Sequence, residues 1–509
     1  MKSERFQLVV VGSGFAGSIM AMTARRLGFS VALIERGRHP RFAIGESTTP
    51  ITNLLLEEIA DEFDLPFLRS FSKWGAWQEN YPEIASGLKR GFTFFHHESG
   101  RPFPSDREAA MRRQLMVGAS PNERIADTHW YRPDFDHLLV RRAEALGVVY
   151  RDETVIETVM EADDGVRLSG NRAGQPFTLT ADFLIDASGP RGFLHRIFRL
   201  PEKSAEGFPA TQGLYTHFTG VGSLPPNFTP GEPPYPPEQA AVHHIFDGGW
   251  VWVLKFNNGI TSAGVAATDA VAERLDLRSG EPGWQNLLRE LPSLAEIFES
   301  ARAVQPFVWQ PRIAFQSGVV TGRNWALLPS AAGVIDPLLS TGFPLTLLGV
   351  QRLARLLKIR REPAFTAGLD DYAQETTREF EATARLVKAL YQRMNRFDRF
   401  KEMSLLYFAA ASFSEVTRRL GQSKLVGDFL LCRHPVFGPQ LRQLCESADA
   451  DQTARIHAAI APLDVIGLTD PARDPWYPAL AEDLYRNAAK VGASESDIAA
   501  LLARCGMGE

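Results

Sequence analysis

Four residues near the start of the chain have the types and spacing needed to hold a dinucleotide. Gly12, Gly14 and Gly17 form a GxGxxG pattern that follows an apolar run at residues 8–11 and opens a helix-like stretch. Glu35 ends a second apolar run at residues 31–34. An acid about 20 residues beyond the glycines, with strand, helix and strand in register, is typical of dinucleotide-binding folds. We therefore predict a Rossmann-type site.

Each of these residues has a physical task. Gly12 allows a tight turn, Gly14 lets the backbone approach a pyrophosphate, and Gly17 lets helix and strand pack closely. The helix N-terminus presents free N–H groups to the phosphates, and Glu35 accepts hydrogen bonds from ribose hydroxyls. No second glycine pattern of this type follows in the sequence. A long chain with one such site at its N-terminus favours a bound flavin, FAD, over NAD.

Two tryptophans could form part of a substrate site. Trp250 and Trp252 stand two residues apart in a strand-like run, so their indoles share one face of the strand with Leu254. Two histidine pairs, at residues 96–97 and 243–244, lack partners at ligand spacing. We therefore predict no metal site.

The surrounding pattern predicts an α/β fold in three parts. Helices are predicted at residues 51–64 and 133–146, and one strand at 88–96. A stretch rich in Pro and Gly at 201–235 marks a boundary, and alternating strands follow at 240–268. We predict a discontinuous FAD-binding domain (1–200 and 318–362), an antiparallel substrate-domain sheet (201–317) and a helical C-terminal region (363–509).

Composition excludes several classes of protein. The formal net charge is −5 and no basic stripe stands out, which argues against a nucleic-acid partner. The longest apolar stretches, such as residues 405–411, are far shorter than the ~20 residues that span a membrane. Three cysteines without CxxC spacing and a start without a signal-peptide pattern favour a reducing, cytoplasmic setting.

Several segments together resemble the FAD-dependent halogenases, which are relatives of the single-component aromatic hydroxylases. The resemblance covers about residues 5 to 350. Its segments are the glycine turn, GESTTP at 45–50, Lys89 in GLKRGF, IDASGP at 185–190, WVWVL at 250–254 and LLPSAAGVIDPLLSTGFP at 327–344. The resemblance implies a hydroxylase-like FAD-binding domain of the GR2 type.

It also implies a division of labour. A separate NAD(P)H-dependent flavin reductase supplies reduced FAD, which with O2 and chloride or bromide makes hypohalous acid. The acid passes through a tunnel to a lysine beside a small aromatic substrate, free or tethered to a carrier protein. On this resemblance Lys89 is catalytic, either hydrogen-bonding the hypohalous acid or becoming a haloamine. A solvated surface lysine is the alternative.

The resemblance assigns further residues. Thr341 and Gly342 bind halide through their backbone N–H groups, where an ordinary helix cap is the alternative. Trp250 and Trp252 keep substrate away from the flavin, although the family's WxWxIP ends here in Leu254-Lys255, and plain core aromatics are the alternative. The cofactor-binding residues are Gly12, Ser13, Gly14, Ala16, Gly17, Glu35, Arg41, Ile44, Ser47, Thr48 and Asp336.

Leu339 bears on the choice of substrate. Members that act on free tryptophan carry a glutamate in PLESTG, and this chain has Leu339 at that place. We therefore expect an electron-rich ring, phenolic first and pyrrolic second. Three other functions stay open on the same fold: an FAD-dependent aromatic hydroxylase or monooxygenase, a reductase acting on isoprenoid chains, and a flavin-binding protein without turnover. A hydroxylase has no need of Lys89 or of a halide site.

Overall fold

The computed structural model describes residues 4–203, 207–422, 426–447 and 452–507. A seven-stranded sheet carries the glycine turn, with Glu4–Val11 paired in parallel to Val31–Ile34 and to Gln175–Asp186. In space the order is Val149–Arg151, Val31–Ile34, Glu4–Val11, Gln175–Asp186, Gly165–Arg172 and Thr154–Ala162, with Trp325–Leu327 beside the end of Gln175–Asp186. The apolar residues 8–11 are buried, as expected of a strand covered on both faces. The predicted dinucleotide-binding fold is confirmed.

A nine-stranded sheet forms the second layer. Its spatial order is Arg302–Ala303, Thr211–Thr219, Thr261–Thr268, Gly249–Lys255, Ala241–Phe246, Gly91–His96, Gln114–Gly118 and Trp476–Tyr477, with Val308–Gln310 beside Thr211–Thr219. Its pairs are antiparallel except at Gly91–His96 with Ala241–Phe246 and at Gln114–Gly118 with Trp476–Tyr477. The predicted substrate-domain sheet is present, but it also takes strands from before residue 200 and from the C-terminal region. The domain limits above remain a division by sequence.

The single strand predicted at residues 88–96 is wrong. The chain forms two strands there, Ser86–Lys89 and Gly91–His96, and they belong to different sheets. The break falls at Arg90, whose N–H donates to the carbonyl of Gln239. Ser86–Lys89 pairs instead with Asp127–Trp130 in a two-stranded ladder. A second small ladder joins Phe315–Gln316 to Gly333–Val334.

Helices cover the sheets and form most of the C-terminal region, as predicted. The α-helices are Phe15–Arg26, Pro50–Glu62, Trp74–Asn80, Arg107–Arg112, Arg132–Ala145, Phe193–Ile197, Asp269–Arg274, Glu281–Glu290, Pro292–Phe298, Pro329–Ala332, Gly342–Lys358, Ala364–Tyr391, Phe397–Arg419, Phe437–Glu446, Thr453–Ile460, Ala481–Arg486 and Glu495–Cys505. Short 3-10 turns lie at Pro66–Phe71, Pro226–Phe228, Leu277–Ser279, Leu338–Ser340, Phe429–Leu431, Pro471–Arg473 and Ala488–Val491.

The C-terminal helices are not an independent unit. Their buried side chains, such as Leu386 and Leu406, belong to the same hydrophobic core as Leu8 and Ile34 of the first sheet. A smaller core, which includes Trp284, packs behind the second sheet. No helix in the described part of the chain is long and apolar enough to cross a membrane.

Candidate functional site

The glycine turn has the geometry that its spacing predicts. Gly12 has a φ of +99°, and a Cβ built there would lie 2.4 Å from the carbonyl oxygen of Ala187. A Cβ on Gly17 would lie 1.8 Å from the carbonyl oxygen of Gly12. At Gly14 the nearest atom would be a guanidinium nitrogen of Arg132, at 3.2 Å. Gly12 and Gly17 are therefore required by packing against the backbone, whereas a Cβ on Gly14 would meet only the ends of side chains, and the guanidinium of Arg132 would have to shift slightly.

Glu35 is buried and held as a carboxylate. Its Oε2 accepts the N–H and the hydroxyl of Ser13 at 3.1 and 3.0 Å, and its Oε1 accepts the N–H of Gly37 at 2.9 Å. Burial pushes the pKa of Glu35 upward, but the charge of Arg41 and these hydrogen bonds outweigh burial and hold the pKa below its ordinary value. An ionised carboxylate at this position can accept hydrogen bonds from a ribose.

One large cavity of about 830 Å³ runs from this turn to the second sheet. That volume lies near the upper end of the range for ligand pockets. Of the predicted cofactor residues, those that line the cavity are Gly12, Gly14, Ala16, Glu35, Arg41, Ile44, Ser47 and Asp336. Ser13 and Gly17 stand behind them in the turn. The structure thus gathers predicted residues from three separated segments, at 12–16, 35–47 and 336, at one site.

Arg132 is a residue of this site that the sequence analysis missed. It opens the helix Arg132–Ala145, forms a buried ion pair with Asp136 at 2.7 Å, and lines the cavity beside Gly14. Its guanidinium also donates to the carbonyls of Ile44 and Gly45, at 3.2 and 2.9 Å. Sequence reasoning saw only a helix start here. The guanidinium of Arg132 therefore places a positive charge beside the glycine turn and fixes the loop that follows Ile44.

The loop at residues 45–50, termed the strap below, connects the large cavity to the lysine. Glu46 in it forms a buried pair with Nε2 of His217 at 2.7 Å. Thr48 is bonded by its N–H and its hydroxyl to the carbonyl of Thr128, at 3.1 and 2.7 Å, and faces away from the cavity. Ser47 lines the cavity, and its hydroxyl accepts a hydrogen bond from Nζ of Lys89 at 2.9 Å.

Lys89 is a fully buried residue and not a solvated surface lysine. Its Nζ also donates to the carbonyl of Thr48 and lies 3.9 Å from the ring centroid of Phe92. Gly87 is needed nearby, because a Cβ there would lie 2.2 Å from the carbonyl oxygen of Lys255. Burial lowers the pKa of Lys89, and the opposite charge of Asp127 partly restores it. The amine therefore exchanges protons more readily than an ordinary lysine.

Trp250 and Trp252 share one face of their strand, as predicted, and both line the large cavity with Leu254. Their ring centroids are 5.6 Å apart. Trp252 donates to the hydroxyl of Ser262 at 3.3 Å. Together the two indoles form part of the wall on the side of the second sheet.

Asp336 lines the cavity, but its carboxylate is engaged by protein groups. Oδ1 accepts the N–H of Leu338 at 3.0 Å and the indole N–H of Trp250 at 3.2 Å. Oδ2 accepts the hydroxyls of Tyr391 and Thr211 at 2.9 and 3.3 Å. Burial raises the pKa of Asp336 to about 6, and these hydrogen bonds limit the rise. Its cofactor-binding role stays a prediction.

Thr341 and Gly342 stand at the start of the helix Gly342–Lys358 and line the cavity. A Cβ on Gly342 would meet nothing within 4 Å. The N-terminus of a 17-residue helix carries a partial positive charge and free N–H groups, so an anion can bind here. Leu339 is fully buried with a φ of +65°, and it is not among the residues that line the cavity. Its place beside a substrate stays a prediction.

The residues of the cavity fit an FAD. Gly14 leaves room for a pyrophosphate, Arg132 and Arg41 lie beside it, and the ionised Glu35 suits the ribose. Nε of Arg41 and Oγ of Ser330 are buried without a hydrogen-bond partner, and both residues line the cavity. Such atoms indicate a polar ligand. Within the described ranges, no group of three or more His, Cys, Asp or Glu could hold a metal ion.

Comparison with known proteins agrees with this geometry. The family model for the FAD binding domain matches residues 7–220, and that for tryptophan halogenase matches residues 126–403. The chain is 30% identical to the monodechloroaminopyrrolnitrin halogenase PrnC of Pseudomonas fluorescens, over 81% of this chain and 69% of that protein. It is 28% identical to the tetracycline 7-halogenase of Kitasatospora aureofaciens, over 89% and 85% of the two chains.

A solved structure has the same fold. The crystal structure of the halogenase PltM in complex with phloroglucinol and FAD superposes with a TM-score of 0.82. The match covers 93% of this chain and 99% of that one, at 23% sequence identity. The C-terminal helical region, which carries no motif, is thus part of the shared fold.

Proposed function

This chain belongs to the family of flavin-dependent tryptophan halogenases, and on that premise we propose that it halogenates a small, electron-rich aromatic ring, phenolic first and pyrrolic second. FAD, O2 and chloride or bromide are its cosubstrates. Bound reduced FAD supplies, with O2 and halide, the oxidised halogen as hypohalous acid. The protein's own residues then bind, guide and deliver that species to the ring.

One observation carries the proposal. The hydroxyl of Ser47 lies on the wall of the flavin cavity and accepts a hydrogen bond from Nζ of Lys89, which is otherwise fully buried. In this proposal, a small neutral oxidant formed in the cavity passes Ser47 to reach the amine. A buried ammonium without such access would destabilise the fold for no gain. Lys89 is therefore assigned to hold the oxidised halogen beside the substrate.

The remaining residues have supporting tasks in this proposal. Thr341 and Gly342 hold halide at the helix N-terminus, where the partial charge favours an anion. Trp250 and Trp252 wall off the cavity, so that the ring does not reach the flavin. The carboxylate of Glu35, the cation of Arg132 and the glycine turn bind the dinucleotide.

The proposal includes a partner and a compartment. A separate NAD(P)H-dependent reductase supplies reduced flavin, and the enzyme works in the cytoplasm on a free or carrier-tethered substrate. The test is incubation with FAD, a flavin reductase, NADH and bromide, together with a panel of phenols, pyrroles and indoles, read by mass spectrometry. Bromide-dependent product masses on phenols support the proposal. Oxygenated products that form equally well without halide would instead identify a hydroxylase.

A further inference from the structure

The ladder between Ser86–Lys89 and Asp127–Trp130 brings three groups with acid–base chemistry together. Lys89 stands directly opposite Asp127, and Gly87 stands opposite His129. Opposed residues in an antiparallel pair share a face, with Cβ atoms roughly 4.5–5.5 Å apart. Lys89, Asp127 and His129 therefore point to the same side of the ladder. All three are buried.

Asp127 is only half used by the protein. Its Oδ1 accepts the side-chain N–H of Asn53 at 2.6 Å, while its Oδ2 is buried without a hydrogen-bond partner. Nζ of Lys89 is directed to Ser47 and Thr48. A buried acceptor left unpaired destabilises the fold, so an unused carboxylate oxygen beside a reactive lysine indicates a polar ligand.

Aromatic side chains lie around the amine of Lys89, the residue opposite this carboxylate in the ladder. The ring of Phe92, which covers Nζ of Lys89, lies 5.3 Å from Phe408 and 6.2 Å from Tyr407, both on the helix Phe397–Arg419. The hydroxyl of Tyr407 is buried without a hydrogen-bond partner. Burial raises its pKa, and the charge of Asp127 raises that pKa further. Flat apolar walls with a few unpaired polar atoms are the lining that suits an aromatic ring bearing a hydroxyl.

We propose that Asp127 is a catalytic base of this site, which accepts the acidic hydrogen of the substrate while Lys89 holds the oxidised halogen. The substrate class is a ring whose O–H, or pyrrole N–H, conjugates with the carbon attacked. This inference rests on the proposed function and deepens it. It gives the site a carboxylate on a strand distant in sequence from Leu339, with a different task from that of the family's glutamate.

The proton and electron balance is complete for a phenol. A ring carbon next to the hydroxyl forms a bond to the halogen, and the O–halogen bond of hypohalous acid breaks with its electron pair on oxygen. The hydroxide so formed takes a proton from the Lys89 ammonium and leaves as water. The phenolic proton moves to Asp127. The amine of Lys89 then removes the ring proton, and the product phenolate regains its proton from Asp127.

The test compares a phenol with its O-methyl ether, which has the same ring but no O–H. In Asp127→Asn, which keeps the size of the side chain, we expect halogenation of the phenol to fall by at least about 100-fold, a typical effect of a lost general base. Halogenation of the ether, slow in the parent as well, should change little. Asp134→Asn, the same change at a half-buried aspartate on the helix Arg132–Ala145 and not in the ladder with Lys89, serves as the matched control.

A binding measurement supplies a readout apart from turnover. In calorimetry with the FAD-loaded protein, the parent should bind the phenol at least about tenfold more tightly than the ether, and Asp127→Asn should reduce that preference. Asn53→Ala removes the N–H that holds Oδ1, so it should weaken activity on the phenol alone. This variant leaves Asp127 in place and keeps the inference testable if Asp127→Asn does not fold.

The outcomes separate the two proposals. A parent that halogenates the phenol, with an Asp127→Asn variant that does so equally well, overturns this inference and leaves the proposed function standing. An equal loss on phenol and ether also overturns it, because Asp127 would then act on Lys89 or on the fold. A parent that halogenates no member of the panel overturns both.

Discussion

The indole N–H of Trp250 donates to Oδ1 of Asp336 at 3.2 Å and to the hydroxyl of Tyr391 at 3.0 Å. Tyr391 donates in turn to Oδ2 of Asp336 at 2.9 Å. The three residues come from the second sheet, from the segment before the turn Leu338–Ser340 and from the end of a C-terminal helix. These three buried hydrogen bonds therefore fix the position of a tryptophan of the cavity wall relative to the turn that precedes Thr341.

Removal of one indole N–H should show the strength of these hydrogen bonds. Trp250→Phe leaves Asp336 without one of its donors, so we expect a loss of about 1–2 kcal/mol in the free energy of unfolding. Trp252→Phe is the matched control, since its N–H reaches only the hydroxyl of Ser262. Thermal midpoints at one pH measure both. Equal midpoints for the two variants would contradict the assignment.

Asp336 should also make stability depend on pH. Its pKa is raised to about 6 by burial, so relative to Asp336→Asn the parent is favoured below the unfolded pKa and loses that advantage as pH rises through about 6. A rise of the pKa to about 6 corresponds to roughly 3 kcal/mol of stability. The free energy of unfolding is measured for the FAD-free parent and for the variant at pH 4 and at pH 8, and the difference between the two proteins is compared at the two pH values. If the parent instead gained stability relative to Asp336→Asn as pH rises, the raised pKa of Asp336 would be contradicted.

The glycine turn offers a pair of variants that separate binding from folding. Gly14→Ala adds a methyl group that meets only the ends of side chains, the nearest being the guanidinium of Arg132 at 3.2 Å. The chain should therefore fold after a small shift of that side chain but lose FAD affinity, and the bulkier Gly14→Val should abolish binding. Gly17→Ala places a Cβ against the carbonyl of Gly12 and should destabilise the protein itself. Flavin fluorescence and thermal midpoints distinguish the two effects. FAD affinity retained in Gly14→Val would refute the site.

Lys89 is expected to act after the flavin chemistry. Lys89→Ala should reduce halogenation by at least ~1,000-fold, equivalent to ~4 kcal/mol, while flavin reoxidation in air continues at the parent rate. Lys255→Ala removes a half-buried lysine that pairs with Glu238 and serves as the comparison. Product mass and oxygen uptake are followed together. Halogenation at the parent rate in Lys89→Ala would remove the lysine from the mechanism.

The sequence predicted what depends on local pattern. The strand, glycine turn, helix and second strand that end at Glu35 lie within one continuous stretch, and each has a local signal. The break at Arg90 has no local signal in the sequence, because it depends on a backbone hydrogen bond to the distant Gln239. The predicted single strand therefore became two.

The same reasoning explains which site residues were missed. Asp127 lies opposite Lys89 only because of the register between their two strands. In the sequence Arg132 is typical of any helix start, and its role depends on the loop whose carbonyls it binds. The Tyr391 hydroxyl comes from a helical region without a motif. Residues whose role arises from tertiary pairing, rather than from neighbours in sequence, leave no spacing to detect.

The last prediction concerns the choice of substrate. Leu339 stands where tryptophan-acting relatives are expected to carry a glutamate, and its buried side chain can neither hold the oxidant nor stabilise a cationic ring. Each 1.36 kcal/mol of missing barrier stabilisation costs about tenfold in rate, so an unactivated ring carbon should react very slowly. A phenol stabilises its own cation through oxygen, and a pyrrole through nitrogen.

A direct competition decides the matter. With tryptophan and a resorcinol-type phenol at equal concentration, we expect the halogen to enter the phenol, next to its hydroxyl. Leu339→Glu is the matched variant: if the missing carboxylate sets the preference, it should raise the tryptophan share of product. Preferential chlorination or bromination of tryptophan on its benzo ring by the parent would mean that the substrate class proposed from Leu339 is wrong. Another group would then stabilise the cation, and Asp127 is the nearest acid to Lys89 along the ladder.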